Sequence, residues 1–312
     1  MYKFDGMILS GRKSSDNKMS GYLYTSKAIF GYGFNGSDLS MTNLVSNTGF
    51  VATDITGVGT ARYALASAGY GTDKAIFGYG VSFNAYVSMT NLVSNTGVVA
   101  TNTTGVGTIR ALLAASGYGR DKSVFGYGNG YTPQYESTTN LVSNTGVVAT
   151  NTTGVGTARR GLAAASYGGD VAIFGYGDNF VGVLSMTNLV SNTGVVATDT
   201  TGVGTARQNP AAAGYGTDKA IFGYGYSATF PNYTNLTNLV SNTGVVATDT
   251  TGVGTARYAL AASGYGTDKA IFGYGLTTAN VSMTNLVSNT GVVSTDTAGV
   301  GTARRFLAAA SY

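Results

Sequence analysis

The sequence predicts an all-β fold, a six-bladed β-propeller with four antiparallel strands in each blade. The chain of 312 residues repeats one unit of about 48 residues six times, which is the period of a propeller blade. Each unit divides into segments of about five to eight residues between turn residues, and such segments are too short for helices. Charged residues make up only 10%, so Thr, Ser, Asn and Tyr must cover the sheets.

Three motifs recur in the same phase and define the units. Phe-Gly-Tyr-Gly begins at Phe30, Phe77, Phe125, Phe174, Phe222 and Phe272. Asn-Leu-Val-Ser-Asn-Thr-Gly begins at Asn43, Asn91, Asn140, Asn188, Asn238 and Asn285. Gly-Val-Gly-Thr-(Ala/Ile)-Arg ends at Arg62, Arg110, Arg159, Arg207, Arg257 and Arg304. Because the three advance in step, the units are copies of one structural element.

The second unit illustrates the four strands. We predict strand A at 63–70, strand B at 74–79, strand C at 88–93 and strand D at 98–104. Strand A is rich in alanine, which suits the innermost position, where large side chains do not fit. Because side chains alternate along a strand, Tyr and Phe of strand B are expected to fill the gap between neighbouring blades.

The two ends of the chain predict how the ring closes. We predict that residues 21–312 form the propeller and that residues 1–20 form an arm outside it. The chain ends in a strand A, at 304–312, whereas the first unit begins with a strand B, at 27–32. The C-terminal strand therefore supplies the inner strand of the first blade. The alternative is that residues 21–25 supply it.

The order of the segments resembles a kelch repeat, over residues 21–312. Gly31 and Gly33 stand where kelch repeats carry adjacent glycines, with Tyr32 inserted. The tryptophan expected on strand D is absent, and Val98 lies near its place. The resemblance implies the propeller fold. It does not bring the copper oxidase activity of some kelch-like propellers, because that activity depends on histidine and cysteine.

Composition argues against an enzyme. The chain has no histidine and no cysteine, and Glu136 is its single glutamate, so a Ser-His-Asp triad is excluded and zinc or copper would lack ligands. We predict no catalytic residue, no metal and no cofactor. One repeated position alternates between Asp and Asn, which predicts a turn or side-chain-to-backbone role: Asp54, Asn102, Asn151, Asp199, Asp249 and Asp296. The repeated glycines are expected at bulges and close approaches rather than in phosphate loops.

The six arginines that end the third motif are predicted to circle the mouth of the channel. Strand direction places the junction between strands D and A on the same face as the loop between strands B and C. One interpretation is a site for an anion or an acidic glycan, because arginine matches carboxylates and phosphates. The other, which we favour, is that each arginine ties down loop carbonyls or an aspartate.

The B–C loops carry nearly all the differences between units. They span 34–40, 81–88, 129–138, 178–185, 226–236 and 276–282. Their candidate ligand-binding residues are Phe83, Tyr86, Tyr131, Tyr135, Phe180, Tyr226, Phe230 and Tyr233. The position after each arginine also varies: Tyr63, Ala111, Arg160, Gln208, Tyr258 and Arg305. Aromatic loops on a constant scaffold are typical of recognition proteins, and relaxed constraint on surface loops is the alternative.

These features predict a non-enzymatic structural or recognition module, with a bacteriophage virion protein of the tail, fibre or decoration type as the first choice. Its partners would be other virion proteins or a host-surface glycan or protein, with the arm as attachment point. The alternatives are a secreted lectin and an intracellular kelch-type adaptor. The chain has no lysine-rich run of the kind that would predict nucleic-acid binding. It also has no stretch of 18 apolar residues that would predict membrane insertion. Residues 1–20 lack the apolar core of a signal peptide, which agrees better with a virion protein than with a secreted one. We expect a location in a virion or on an extracellular surface.

Overall fold

A computed structural model describes residues 26–132 and 134–312, and every regular element in these ranges is a β-strand. The predicted arm, residues 1–20, and the alternative inner strand, residues 21–25, lie outside the described residues.

The strands fall into a repeating pattern of three per unit, with short additional strands in some units. In chain order they are β1 (Ala28–Phe34), β2 (Asp38–Val45), β3 (Ala66–Tyr70), β4 (Lys74–Gly78), β5 (Val81–Ser82), β6 (Ala85–Tyr86), β7 (Thr90–Val93), β8 (Ala114–Tyr118), β9 (Lys122–Asn129), β10 (Tyr135–Val142), β11 (Ala163–Tyr167), β12 (Val171–Gly175), β13 (Asp178–Asn179), β14 (Gly182–Val183), β15 (Thr187–Val190), β16 (Arg207–Gln208), β17 (Ala211–Tyr215), β18 (Lys219–Ser227), β19 (Tyr233–Val240), β20 (Ala261–Tyr265), β21 (Lys269–Gly273), β22 (Thr284–Val287) and β23 (Ala308–Ser311).

Six small antiparallel sheets result, and we number them by the unit that supplies the middle strand. Sheets one to six are β23-β1-β2, β3-β4-β7, β8-β9-β10, β11-β12-β15, β17-β18-β19 and β20-β21-β22. In sheet five the two-residue strand β16 also pairs with the end of β18. The first strand of each sheet contacts the first strand of the next, and β20 contacts β23, so these inner strands form a closed cycle. Two-stranded hairpins, β5-β6 and β13-β14, extend units two and four.

The C-terminal strand completes the sheet of the first unit. It pairs antiparallel with β1, from Ala28 opposite Ser311 to Gly31 opposite Ala308. The backbones of Lys27 and Tyr312 exchange two further hydrogen bonds. The predicted pairing of the C-terminal strand with the first unit is confirmed.

The alanine-rich strands are the ones that contact one another around the cycle, and at one glycine the approach leaves no room for a side chain. A Cβ placed on Gly69 of β3 would lie 3.0 Å from the carbonyl oxygen of Ser311 in β23. The prediction that alanine-rich segments occupy the innermost position is therefore confirmed. Strand A of the second unit is shorter than predicted, beginning at Ala66, because Ala64 has a φ of 54° and leaves the extended conformation.

The residues that precede the inner strands form a ring of backbone hydrogen bonds. Each donates its N–H to the carbonyl of its counterpart in the preceding unit, and the circuit closes because Ala64 donates to Phe306. All six have a positive φ between 49° and 60°. They are Ala64, Leu112, Gly161, Asn209, Ala259 and Phe306. This ring fixes one end of the cycle of inner strands.

The prediction of a fourth strand in each unit is wrong, because the sheets contain three long strands rather than four. The backbone of segment 98–104 pairs with β7 at two isolated bridges, Val99 with Val93 and Thr103 with Thr90, and not in a continuous ladder. The buried side chain of Asn91 explains this, because its Nδ2 donates to the carbonyl of Ala100 at 2.9 Å and to Asn102 Oδ1 at 3.0 Å. A side chain thus occupies the acceptor that a continuous ladder would use.

Aromatic side chains of the middle strands fill the space between sheets, as predicted. Tyr32 of sheet one meets Phe77 of sheet two edge-on, with ring centroids 5.1 Å apart. The same contact joins every pair of adjacent sheets, at 5.1 or 5.2 Å. Gly31 lies against the same ring, and a Cβ there would come within 2.7 Å of Phe77. The expected close approach at this glycine is confirmed.

This packing predicts that Gly126→Ala destabilises the fold by about 1–3 kcal/mol, because the added methyl group overpacks a buried ring. A Cβ at Gly126 would lie 2.8 Å from Phe174. The control is Gly117→Ala, where the nearest heavy atoms are 3.6 Å away and units four and one carry serine at the same place, Ser166 and Ser311. Denaturant unfolding of both variants measures the difference, and equal losses would contradict this account.

Candidate functional site

The eight loop residues predicted to bind ligand differ widely in exposure. Phe83, Tyr131, Phe180 and Phe230 are between 60% and 92% exposed. Tyr86, Tyr226 and Tyr233 are half-buried, and Tyr135 is buried at 8%. The structure brings six of the eight together, in three pairs rather than one group: Tyr86 with Tyr131, Tyr135 with Phe180, and Tyr226 with Tyr233.

A cleft of about 300 Å³ opens beside the first group, between units two and three. Tyr86 and Tyr131 line it, with ring centroids 4.5 Å apart, as do Tyr63 and Phe306, with centroids 6.3 Å apart. Its other lining residues are Ala64, Val81, Asn84, Ala111, Leu112, Asn129 and Arg160. Mostly apolar walls with a few polar groups are typical of ligand sites.

The polar residues of the cleft form one connected network. Asn129 Nδ2 donates to the hydroxyl of Tyr86, and the backbone N–H of Tyr86 donates to the hydroxyl of Tyr131 at 3.2 Å. Arg160 donates from Nη1 to Asn129 Oδ1 at 3.4 Å and from Nε to Asp178 Oδ2 at 3.3 Å. The network fixes the orientation of both tyrosines.

The charge of Arg160 is compensated inside the protein. Its partner Asp178 is only 8% exposed. Burial raises the pKa of the Asp178 carboxyl, and the neighbouring Arg160 opposes that rise. Asp178 Oδ1 is buried without a hydrogen-bond partner among the described residues. The pair therefore adds polarity to the cleft without a free charge.

The cleft exists because one unit carries a small residue at a variable position. Ala111 follows the repeated arginine in unit three, whereas the five other units carry Tyr, Arg or Gln there. In unit six the equivalent residue is Tyr258, which stacks on Tyr233 at 5.2 Å and fills the gap. In unit four it is Arg160, which lies over Tyr135 at 5.2 Å. At Ala111 there is only a methyl group, which packs against Ala64 and Val81 and forms part of the inner wall of the cleft.

Several aromatic residues of this face were not among the predicted ligand-binding residues. Tyr258, Phe306, Tyr63 and Phe34 continue the aromatic surface, with successive centroids 6.3, 6.3 and 5.1 Å apart. Arg305 lies over the rings of Phe34 and Phe306. Tyr63, Tyr258 and Arg305 occupy the variable position after the repeated arginine. Variation at that position was the signal that could have identified them.

The opposite ends of the inner strands carry two depressions of about 210 and 200 Å³. Their exposed cations include Lys74, Lys122, Lys219 and Lys269. Each lysine lies 3.0 to 3.4 Å from the aspartate that precedes it, so its charge is compensated. These residues recur with the scaffold, which distinguishes this end from the variable loop face.

The six repeated arginines are buried, so the anion-site interpretation of a ring at the channel mouth is corrected. Each side chain is 0% exposed. Arg62 donates from Nε to the carbonyl of Tyr79 at 2.9 Å, from Nη1 to that of Thr60 at 3.1 Å, and from Nη2 to Asn91 Oδ1 at 2.7 Å. Its guanidinium lies 4.3 Å from the ring of Tyr32 in the preceding sheet. The arginines hold adjacent sheets together, as the favoured interpretation expected.

The Nη1 and Nη2 hydrogen bonds and the ring contact recur at the five other arginines, Arg110, Arg159, Arg207, Arg257 and Arg304, which stack on Tyr79, Tyr127, Tyr176, Tyr224 and Tyr274. The Nε bond recurs at Arg159, Arg257 and Arg304, whereas Nε of Arg110 and of Arg207 is buried without a partner among the described residues. Burial lowers the pKa of all six guanidinium groups. Burial raises the pKa of the Tyr224 and Tyr274 hydroxyls to about 12. These groups are structural.

The position that alternates between Asp and Asn links neighbouring units, which confirms its side-chain-to-backbone role. Asp54 accepts hydrogen bonds from the backbone N–H of Thr302, at 2.9 Å, and from its hydroxyl. In the Asn version, Asn102 accepts from the N–H of Thr60 and donates to its hydroxyl. Burial alone raises the pKa of Asp54, but hydrogen bonds from Thr302 and Asn43 outweigh it and hold that pKa below its ordinary value.

The described residues contain no group of three side chains that could hold a metal ion. Within ranges 26–132 and 134–312, no helix has the length and apolarity needed to cross a membrane. No protein-family model matches the chain, and no curated protein matches it.

Proposed function

We propose that the chain is a six-bladed β-propeller of kelch-like repeats and acts as a non-enzymatic recognition module. The closed cycle of inner strands supports the fold, because six equivalent sheets around one axis are the arrangement of propeller blades. The units provide the constant scaffold. The B–C loops and the position after each repeated arginine provide the contact surface.

The observation that carries this proposal is where exposed aromatic side chains lie. Of the five exposed large aromatic residues among those described, four belong to B–C loops: Phe83, Tyr131, Phe180 and Phe230; the fifth is Phe50. Exposed aromatic residues are costly in solvent and are the anchors of contact surfaces. Their concentration on the variable face favours recognition over relaxed constraint.

We propose further that the protein belongs to a bacteriophage virion and that the loop face contacts a host surface. Near-identical tandem units, the low content of charged residues and the Ser, Thr, Asn and Gly richness support this placement. The open cleft on the loop face favours a host glycan over the protein partner of an intracellular kelch-type adaptor.

The test is binding of the fluorescently labelled protein to intact cells of a panel of bacterial strains. We expect Phe83→Ser, Phe180→Ser and Phe230→Ser in combination to weaken binding at least about tenfold, because they remove exposed anchors. The control combines Lys74→Ser, Lys122→Ser and Lys269→Ser at the opposite end and should bind as the wild type does. Undiminished binding by the loop variant, or no binding of the wild type to any strain, would contradict the proposal.

A further inference from the structure

We infer that the cleft beside Ala111 is a binding site for an uncharged saccharide. This inference rests on the proposed function, because it takes the loop face as the recognition surface. The volume of about 300 Å³ suits one or two sugar rings rather than a polypeptide segment.

The two aromatic pairs supply the packing surfaces. Tyr86 and Tyr131 are tilted by 32° to each other, and Tyr131 is 60% exposed, so its ring is accessible from the cleft. Tyr63 and Phe306 are half-buried beside the ring of backbone hydrogen bonds, and a ligand would meet them on a rigid support. A pyranose has an apolar face of C–H groups that packs against aromatic rings, as other apolar surfaces do.

The hydrogen-bonding groups of the cleft suit hydroxyl groups. Tyr86 and Tyr131 each accept a hydrogen bond through the hydroxyl oxygen, so each O–H proton remains available to a ligand. Arg160 uses Nε and Nη1 within the protein, and its side chain is 29% exposed. Sugar hydroxyls can accept from these donors and donate in turn to the exposed Asn84.

The charges around the cleft favour an uncharged ligand over an acidic one. Among the described residues no carboxylate lines the cleft, and the one cation that does, Arg160, already lies 3.3 Å from the carboxylate of Asp178. A ligand carboxylate would have to compete with a partner that is part of the fold. An uncharged ligand needs no such exchange.

The experiment is a calorimetric titration with a panel of uncharged oligosaccharides built from glucose, galactose, mannose and N-acetylhexosamines. We expect at least one to bind the wild type, with an affinity that changes less than about twofold between about 50 and 500 mM NaCl. Ala111→Arg should abolish this binding, because the longer side chain would occupy the cleft that Ala111 lines. The variant should still fold, since units four and one carry arginine at the same position.

The matched control is Gln208→Arg, at the equivalent position of unit five and outside the cleft, which should bind as the wild type does. Tyr131→Ala changes an exposed residue and provides a second test if Ala111→Arg unfolds; at least about tenfold weaker binding is expected. No binding by any panel member, equal affinity of Ala111→Arg or Tyr131→Ala and wild type, or strong salt dependence would overturn the inference.

The two proposals can fail separately. If the three-residue loop variant loses cell binding while Ala111→Arg still binds cells and saccharide, the saccharide site is wrong and the loop face stands. If the loop variant binds cells normally while Ala111→Arg loses a measured saccharide affinity, the cleft stands and recognition of cells by the exposed loop aromatics is wrong.

Discussion

A chain ending at Gly301 is expected to lose its cooperative unfolding transition. The missing segment contains β23 and with it the inner strand of sheet one. Its removal deletes the side chains of Leu307 and Tyr312 and uncovers those of Ile29 and Phe30. Each of the four is at most 8% exposed in the intact fold. Each such side chain contributes about 1.5–3 kcal/mol, so the total loss is about 5 kcal/mol or more, comparable with the whole stability of many domains.

The measurement is thermal and denaturant unfolding of the chain 1–301, followed by addition of a synthetic peptide of residues 302–312. The peptide should restore a cooperative transition, because it brings back the ladder with β1 and the contacts of Arg304. The same peptide carrying Ala310→Asp is the control and should fail, because Ala310 is buried in the core between sheets one and two. A truncated chain with wild-type stability would contradict the closure of the cycle by β23.

The sequence predicted the middle strands, the inner strands and the close approach at one glycine. The middle strand of unit two was predicted at 74–79 and lies at Lys74–Gly78. The inner position of the alanine-rich strands and the close approach at Gly31 also followed, because both are properties of one repeated residue type. Repetition strengthened each inference, since a feature present in every unit had to satisfy the same surroundings six times.

The fourth strand was predicted wrongly for a physical reason. Val99 and Thr103 do bridge to β7, but the residues between them do not extend the ladder. Asn91 takes the carbonyl of Ala100 with its side chain, and nothing in an Asn-Leu-Val motif reveals where that amide will point. Competition between a side chain and the backbone is decided by tertiary position, not by strand propensity.

The cleft could not be predicted because no single unit contains it. Ala111 opens the space, Tyr63 and Tyr131 line it from different units, and Phe306 comes from the end of the chain. The sequence did identify the variable loops and the variable position after the arginine. Which of these residues meet depends on the distances between units, which a repeat pattern does not contain.

The buried arginines lead to the second large expected effect: Arg159→Met should destabilise the protein by about 3–5 kcal/mol. Arg159 donates to the carbonyls of Tyr176 and Thr157 and to Asn188 Oδ1, and the substitution leaves all three acceptors without their donor. Each unpaired buried acceptor costs about 1–3 kcal/mol. Loss of the cation–π contact with Tyr127, at 4.4 Å, adds to this, while relief from burying a charge offsets part of it.

Two further variants separate the hydrogen-bond fork from the charge. Arg159→Lys keeps the charge but cannot reach three acceptors from one ammonium group, so it should lose about as much stability as Arg159→Met. Arg120→Met is the control, because Arg120 is exposed in the turn that precedes β9, and its loss should stay within about 0.5 kcal/mol. Denaturant unfolding compares the three. If Arg159→Lys retained wild-type stability, the charge alone would be sufficient, and the account of the arginine as a three-way hydrogen-bond donor would be wrong.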